Sequence, residues 1–506
     1  MIALFSAQVT GLDATLINVE VDLSPGLHVF SIVGLADKEV QESRERIGVA
    51  IRAIGARPPH KKSERLIVNL APADIRKEGP AFDLPIALGY LLASGQARFD
   101  PAGKLFIGEL GLDGSLKPVV GVLPMAIAAR LAGATACYVP PGNGAEAALI
   151  EGLTVKEAPN IPALLDDVEG RRALPPISRP EPPHGAADVF DISLIHGQEH
   201  AKRALVIAAA GGHNILFQGP PGTGKTILAR ALAGLLPPPT EDEMIEITKI
   251  ASVAGILRDR GALVATRPFR SPHHSASAVA VTGGGSPPRP GEVTLAHRGV
   301  LFLDELPEFP THVLESLRQP LEDRMITVAR AAGTISFPAD FTLIASMNPC
   351  PCGNLSNPRG NCICAPGAIA RYRRRVSGPL LDRIDLHIEV GPVASEKLAA
   401  DAADPSQGIA IRAQIAAARD HALKRFARSN CRTNAAMSLV ELKTFCPLDA
   451  ESRHILQEAY DRLGMSVRTY YRTIKVARTI ADLAASPGIR SEHVLEALQY
   501  RPMGER

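Results

Sequence analysis

The chain has 506 residues, more than a single hydrophobic core supports, so two to four domains are expected. Hydrophobic residues make up 46% and charged residues 21%, as in ordinary globular proteins, and no run of about 18 apolar residues is available to cross a bilayer. A formal net charge of +2 supplies no overall attraction to nucleic acid, so any such contact must come from basic residues gathered locally. The opening MIALFSAQVTGLDAT lacks a basic start and a sustained apolar core, which argues against a secretory signal and a membrane partner and favours the cytoplasm.

In chain order, residues 1–168 mix strand-like alternation around Thr15 to Val21 with helical runs near Asp83 to Leu92 and Pro124 to Leu131, and read as an α+β domain. Residues 169–190 form a Pro-rich linker: RRALPPISRPEPPHGAAD (171–188) carries five prolines, which cannot join a helix or a sheet ladder. Over 191–392, apolar strands alternate with helical stretches. NILFQ (214–218), GVLFLDE (299–305) and FTLIASMN (341–348) predict an α/β core with a parallel sheet. Residues 393–506 turn helical, from Ala400 to Ala427, from Asp449 to Leu463 and through YYRTIKVARTIADLA and SEHVLEALQY, which fits an all-α C-terminal lid.

Between the strand NILFQ and the helical ILARALAGLL lies GPPGTGKT, which matches G-x-x-x-x-G-K-[ST] in the context that motif needs. Gly219, Pro220, Pro221, Gly222, Thr223 and Gly224 form a loop whose backbone N–H groups can face the phosphates of ATP. Lys225 is placed to bridge the β- and γ-phosphates, and Thr226 to bind Mg²⁺. At the end of VLFL, Asp304 is delivered to the carboxyl edge of the sheet, where it would hold Mg²⁺. Glu305 follows on the turn and is the candidate base that polarises water.

Five further words carry a resemblance: RPFRSPHHSAS (267–277), GEVTLAHRGVLFLDELPEF (291–309), ASMNPCPCG (345–353), GPLLDRIDLHIEV (378–390) and GPPGTGKT itself. With them, residues 191–506 resemble the Mg-chelatase-related AAA+ family called YifB or ComM. The resemblance implies an ATP-hydrolysing hexameric ring that translocates on single-stranded or branched DNA, as a helicase or branch-migration factor in recombination or natural transformation. The alternative is a chelatase-type ATPase that remodels a protein partner without DNA. The same resemblance implies that Asn348 is a sensor of water and γ-phosphate; the other reading is a strand-end Asn that turns the chain. It implies that Arg383 is a finger reaching a neighbour's ATP, against simple pairing with Asp382 or Asp385. Arg468 matches the second-sensor arginine of the lid, with Arg472 one helical turn later on the same face. His273 and His274 belong to RPFRSPHH and are expected to be polar packing near the site.

Cys350, Cys352, Cys362 and Cys364 form C-x-C-x9-C-x-C, four soft ligands that can close a structural Zn²⁺ site; the alternatives are reduced thiols in a loop or a redox-labile pair. In this family two insertions face the ring's pore, here about 271–290 and a hairpin at about 325–338, so Arg289 and Arg330 could meet phosphates. Arg371 and Arg373 to Arg375 add a basic run that serves equally as a solvated helix face. Residues 1–168 resemble the Lon peptidase domain through RKEGPAFDLPIALGYLLA (76–93) and FIGELGLDGSLKPVVGVLPMAIAARLAGATACYVPPGN (106–143). The positions of that family's serine and lysine hold Ala81 and Pro124, which can neither attack a carbonyl nor accept a proton, so no peptidase activity is expected.

Overall fold

A computed structural model of the chain describes residues 1–27, 29–59, 64–181, 190–257, 263–286, 288–330, 333–355, 360–393, 405–429 and 431–501. They divide into two compact units, one of Met1–His184 with Glu241–Ala265 and the other of Gly185–Thr240 with Thr266–Arg506. Among the described residues no helix is long and apolar enough to cross a membrane.

The first unit is built on strands β1 (Ile2–Thr10), β2 (Asp13–Pro25), β3 (Val29–Val33), β4 (Glu64–Ala71) and β5 (Lys104–Phe106). A short ribbon follows, of β6 (Glu109–Leu110) and β7 (Leu116–Lys117), and then β8 (Ala136–Val139) and β9 (Thr154–Glu157). Seven of these make one sheet in the order β3-β4-β2-β1-β5-β8-β9. The β1–β2 hairpin is in register from Ile2 opposite Val21 to Thr10 opposite Asp13. Alternate residues Ile17, Val19 and Val21 of β2 are fully buried, the period-2 pattern of a strand with one face on a core. Helices Lys38–Ala53 and Asp83–Ala93 pack into the same core.

The chain segment 241–265 lies inside the predicted contiguous core of residues 191–392, yet it belongs to the first unit. The physical reason is the face of helix Glu241–Val253. Met244 packs in an apolar cluster with Leu123, Leu149 and Leu263. The Gly121 N–H donates to the Ser252 carbonyl at 3.2 Å, the Ser252 hydroxyl donates to Glu146 at 2.5 Å, and Lys249 pairs with Asp13 at 2.5 Å. The chain therefore passes between the units three times. The early part of the Pro-rich stretch is not free either: the Leu174 N–H bonds Asp167 at 2.6 Å and the Ile177 N–H bonds the Val155 carbonyl at 2.8 Å.

The second unit holds strands β10 (Ile215–Gln218), β11 (Phe269–Arg270) and β12 (Val300–Leu303), the hairpin β13 (Met325–Arg330) and β14 (Gly333–Pro338), and strands β15 (Thr342–Met347) and β16 (Leu386–Glu389). Five of them form a sheet in the order β11-β12-β15-β10-β16, parallel throughout. Strands β12 and β15 are buried along their whole length, as a sheet covered on both faces requires. From Pro405 onward the described elements are helical: Pro405–Arg425, Leu439–Phe445, Ala450–Leu463, Val467–Leu483 and Ser491–Gln499, with a short 3-10 turn at Asn434–Ala436. Ile415, Ile474 and Ile480 from these helices, with Tyr500 just after the last, share one hydrophobic cluster with Ile344 of β15 and with Ile207 and Leu228 of helices Glu199–Gly211 and Lys225–Leu235.

One buried carboxylate fixes that junction. Asp385, 2% exposed at the start of β16, accepts from Arg472 at 2.5 Å, from the Asn214 N–H at 3.2 Å and faces His213 Nδ1 at 3.3 Å. His213 in turn meets the Thr479 hydroxyl at 2.8 Å, in the same helix as Arg472. Burial opposes the Asp385 charge, but Arg472 and His213 outweigh it and hold the carboxyl well below the usual carboxylate range. A depressed carboxyl stabilises the fold above its unfolded pKa of about 3.9 and loses that contribution as pH falls below it. Asp385→Ala, which strands the Arg472 guanidinium and leaves His213 and the Asn214 N–H short of a partner, is expected to cost the second unit about 3–5 kcal/mol. Urea unfolding at neutral pH should show it in that unit's transition alone, and the deficit relative to wild type should shrink only below about pH 4.

Candidate nucleotide site

The site is assembled where three neighbouring parallel strands end. β10 runs into Gly219, β12 into Asp304 and β15 into Asn348, so the sheet order sets three segments distant in sequence side by side. The phosphate-type loop leads into helix Lys225–Leu235, and Gly224 at its cap has φ 87°, a left-handed conformation that any side chain would strain. Lys225 is 8% exposed and its Nζ donates to the Gly219 carbonyl at 2.7 Å, the Pro220 carbonyl at 2.8 Å and the Asn348 Oδ1 at 3.2 Å. Burial lowers its pKa, while Asp304 and Glu305 oppose the shift. The Thr223 hydroxyl closes the loop on the Pro220 carbonyl at 2.9 Å.

The Thr226 hydroxyl donates to Asp304 Oδ2 at 3.3 Å. A hydroxyl and a carboxylate brought together are the hard oxygen donors that Mg²⁺ takes, so these residues fit that ion. The other Asp304 oxygen accepts from the Ser346 hydroxyl, because Leu303 and Ala345 are paired across the sheet and the next residues face each other. The Glu305 N–H reaches the same hydroxyl at 3.3 Å. Glu305 itself is exposed, with φ 53°, so its carboxylate stands off the strand end. His274 Nδ1 lies 3.6 Å from Glu305 Oε2, while His273 turns away to the Ser275 hydroxyl at 2.8 Å. Of the two histidines, His274 alone faces the acidic residue. The Tyr372 hydroxyl is pushed up to about 12, chiefly by burial, against the opposing influence of the Asn348 backbone.

The arginines fall into two groups. Arg383 is 7% exposed and bonds Glu322 at 2.7 Å and the Pro379 carbonyl at 2.6 Å, and its Nε has no partner. It is paired with neither Asp382 nor Asp385. Arg468, about half exposed, takes the other oxygen of Glu322 at 2.7 Å. Arg472 is committed to Asp385 and to the Arg383 carbonyl, which separates the two arginines that share a helical face. Of the basic run, Arg373 donates to the Pro349 carbonyl and Arg375 pairs with Glu308 at 2.8 Å, while Arg371 and Arg374 are exposed. Arg289 is exposed beside the Gly284–Arg289 bridge; the side chain of Arg330 lies outside the described residues.

Directly after Asn348 the four cysteines converge. Sγ separations are 3.4 Å for Cys350 to Cys352 and 3.7 Å for Cys350 to Cys362 and for Cys352 to Cys362, and all four sulfurs, Cys364 included, lie within 4.8 Å of one another. All seven cysteines are free. Backbone N–H groups of Asn354 and Ile363 point at Cys352 and hold its thiol at about 6.

Sequence reasoning named the phosphate loop, Asp304, Glu305 and Asn348 as candidates. It missed Ser346, Glu322, His213 and Tyr372, whose parts depend on cross-strand register and on packing between segments far apart in sequence.

A phosphate-type loop after a central strand, with acidic and polar strand ends beside it, defines an α/β P-loop module. Family models agree: "Magnesium chelatase, subunit ChlI" matches residues 191–398, "Subunit ChlI of Mg-chelatase" 19–143 and "Magnesium chelatase, subunit ChlI C-terminal" 406–501. The chain is 41% identical over 507 residues to competence protein ComM of Haemophilus influenzae, covering 99% of this chain and 97% of that protein. It is 41% identical over 495 residues to protein YifB of Escherichia coli, covering 97% and 95%. Likeness to the magnesium-chelatase 38 kDa subunit of Rhodobacter capsulatus is 31% over 180 residues, 32% of this chain and 51% of that one. The chain belongs to the YifB/ComM family of Mg-chelatase-like AAA+ ATPases.

Glu322 is the one carboxylate that Arg383 meets here. Glu322→Ala should therefore lower stability by about 1–3 kcal/mol, the cost of leaving a buried charged group short of partners. Arg468→Ala, at a half-exposed pair, should shift it by less than about 1 kcal/mol. Urea midpoints of the two variants separate the contributions.

Proposed function

We propose that the chain is an ATP-driven motor that acts on DNA as a hexameric ring, with ATP and Mg²⁺ as cofactors and a structural Zn²⁺ on its four cysteines. The observation that carries the ATPase part is the convergence at three strand ends of two bonded pairs, Lys225 with Asn348 at 3.2 Å and Thr226 with Asp304 at 3.3 Å. Lys225 and the loop N–H groups bind and orient the phosphates. Mg²⁺ held by Thr226 and Asp304 supplies charge that neutralises phosphate oxygens. Glu305 takes the proton of the attacking water, and Asn348 orients that water and the γ-phosphate. Ser346 keeps the Asp304 carboxylate turned toward Thr226.

Arg383 acts on the ATP of a neighbouring subunit once it leaves Glu322, which makes hydrolysis depend on assembly; Arg468 serves the subunit's own nucleotide. DNA as the substrate rests on the full-length likeness to a competence protein. The hairpin β13–β14 and the 271–290 stretch, with exposed Arg289, are the segments proposed to touch the strand. The first unit serves as an inactive platform: Ala81 and Pro124, buried and apolar, stand where a Lon-like peptidase needs its serine and lysine.

Steady-state ATP turnover, alone and with single-stranded or branched DNA, tests the proposal, with Lys225→Ala as the blank that no longer binds nucleotide. Stimulation by DNA, weakening steeply from low to moderate salt, is the expected outcome. Turnover indifferent to DNA would favour a protein client. Glu305→Gln should keep ATP binding and slow turnover by about 100-fold or more. Arg383→Ala should abolish hydrolysis, leave binding intact and poison mixed rings; wild-type behaviour in that variant would place the finger elsewhere.

A further inference from the structure

The segment Asn348–Gly353, which opens the loop that bears the four cysteines, touches the phosphate loop at both of its ends. At one end, Asn348 accepts from Lys225 at 3.2 Å, and two residues later comes Cys350, fully buried. At the other, the Gly353 N–H closes a turn on the Cys350 carbonyl at 3.0 Å. Gly353 has φ 79°, and a Cβ there would sit 2.6 Å from Pro221 Cδ, so the loop rests on the phosphate loop where only glycine fits. Between these two contacts lie Cys350 and Cys352, and the thiols of Cys362 and Cys364 close over them.

The sulfur geometry points to one ion. Zn–S bonds of about 2.3 Å in a tetrahedron place sulfurs about 3.8 Å apart along each edge. The separations of 3.4, 3.7 and 3.7 Å lie close to that edge and far beyond the roughly 2.05 Å of a disulfide. The short C-x-C spacing of the first pair is accommodated by the turn that the Gly353 N–H closes on the Cys350 carbonyl.

We infer that a Zn²⁺ ion bound by Cys350, Cys352, Cys362 and Cys364 staples the sensor loop to the phosphate loop, so that metal occupancy sets the position of Asn348 and Pro221 and with it nucleotide affinity and turnover. The inference rests on the zinc reading given above and deepens it: the metal is a determinant of the ATP site rather than a remote fold support. Without it, Asn348 keeps its bond to Lys225 and the Arg373 bond to the Pro349 carbonyl, but the cysteine loop that follows loses the ion that closes it.

The experiment has two arms. Metal content of the full-length protein is measured by mass spectrometry, and Co²⁺ is substituted to read thiolate charge-transfer absorption. One equivalent of zinc and a tetrahedral cobalt-thiolate spectrum are expected. Protein purified without metal that also fails to bind Co²⁺ would overturn the zinc reading itself. In the second arm, an organomercurial releases the metal from wild type while binding of a fluorescent ATP analogue, turnover and far-UV circular dichroism are followed. Loss of zinc should weaken nucleotide binding about tenfold or more with secondary structure kept. Unchanged affinity and turnover after release would overturn the coupling and leave the metal site standing. Gly353→Ala provides the converse without touching a thiol: it should keep its zinc and still bind nucleotide more weakly, because its methyl group displaces Pro221. Wild-type affinity in that variant would equally overturn the coupling.

Discussion

A buried carboxylate must be paired, and in the second unit Asp385 decides how. It stands one step before the edge strand β16, and its partners come from the residues that open β10 and from the helix Val467–Leu483. Because losing Arg472 would leave the carboxylate charge stranded in the interior, this pairing holds the helix Val467–Leu483 against the sheet. Docking in that way sets Arg468 next to Glu322 and brings the Arg383 segment against the same helix through Arg472. The carboxylate that joins these helices to the sheet thus also sets the positions of Arg383 and Arg468.

That arrangement gives Glu322 a particular position. One carboxylate holds both Arg383 and Arg468, the first buried and the second half exposed. Any other anion that takes the Arg383 guanidinium has to displace Glu322 from it.

The inserted segment 241–265 adds a mechanical consequence. A helix that follows the phosphate-loop helix in sequence is built into the first unit through Met244, Ser252 and Lys249. Three covalent passages then join the units, with the phosphate-loop helix and β11 on either side of the inserted segment. The phosphate-loop helix is thus followed directly in sequence by a segment that folds with the first unit.

The sequence by itself determined what local pattern can determine. GPPGTGKT between an apolar strand and a helix names its own chemistry, because glycine positions and a lysine at fixed spacing suffice for phosphate binding. VLFLDE and LIASMN declare buried strands that end in polar residues, and the four cysteines announce a ligand count. Tertiary structure alone decided the rest. Ser346 could not be matched to Asp304 until β12 and β15 were in register, and His274 rather than His273 faces Glu305 because of how the chain turns after β11. Arg472 and Arg468 share a helical face in sequence and are told apart only by Asp385 and Glu322. Glycine at 353 reads as a loop residue until Pro221 is seen against it. Each of these depends on contacts between segments tens to hundreds of residues apart, and such contacts are fixed by packing and by the pairing of buried charge, which no local spacing encodes.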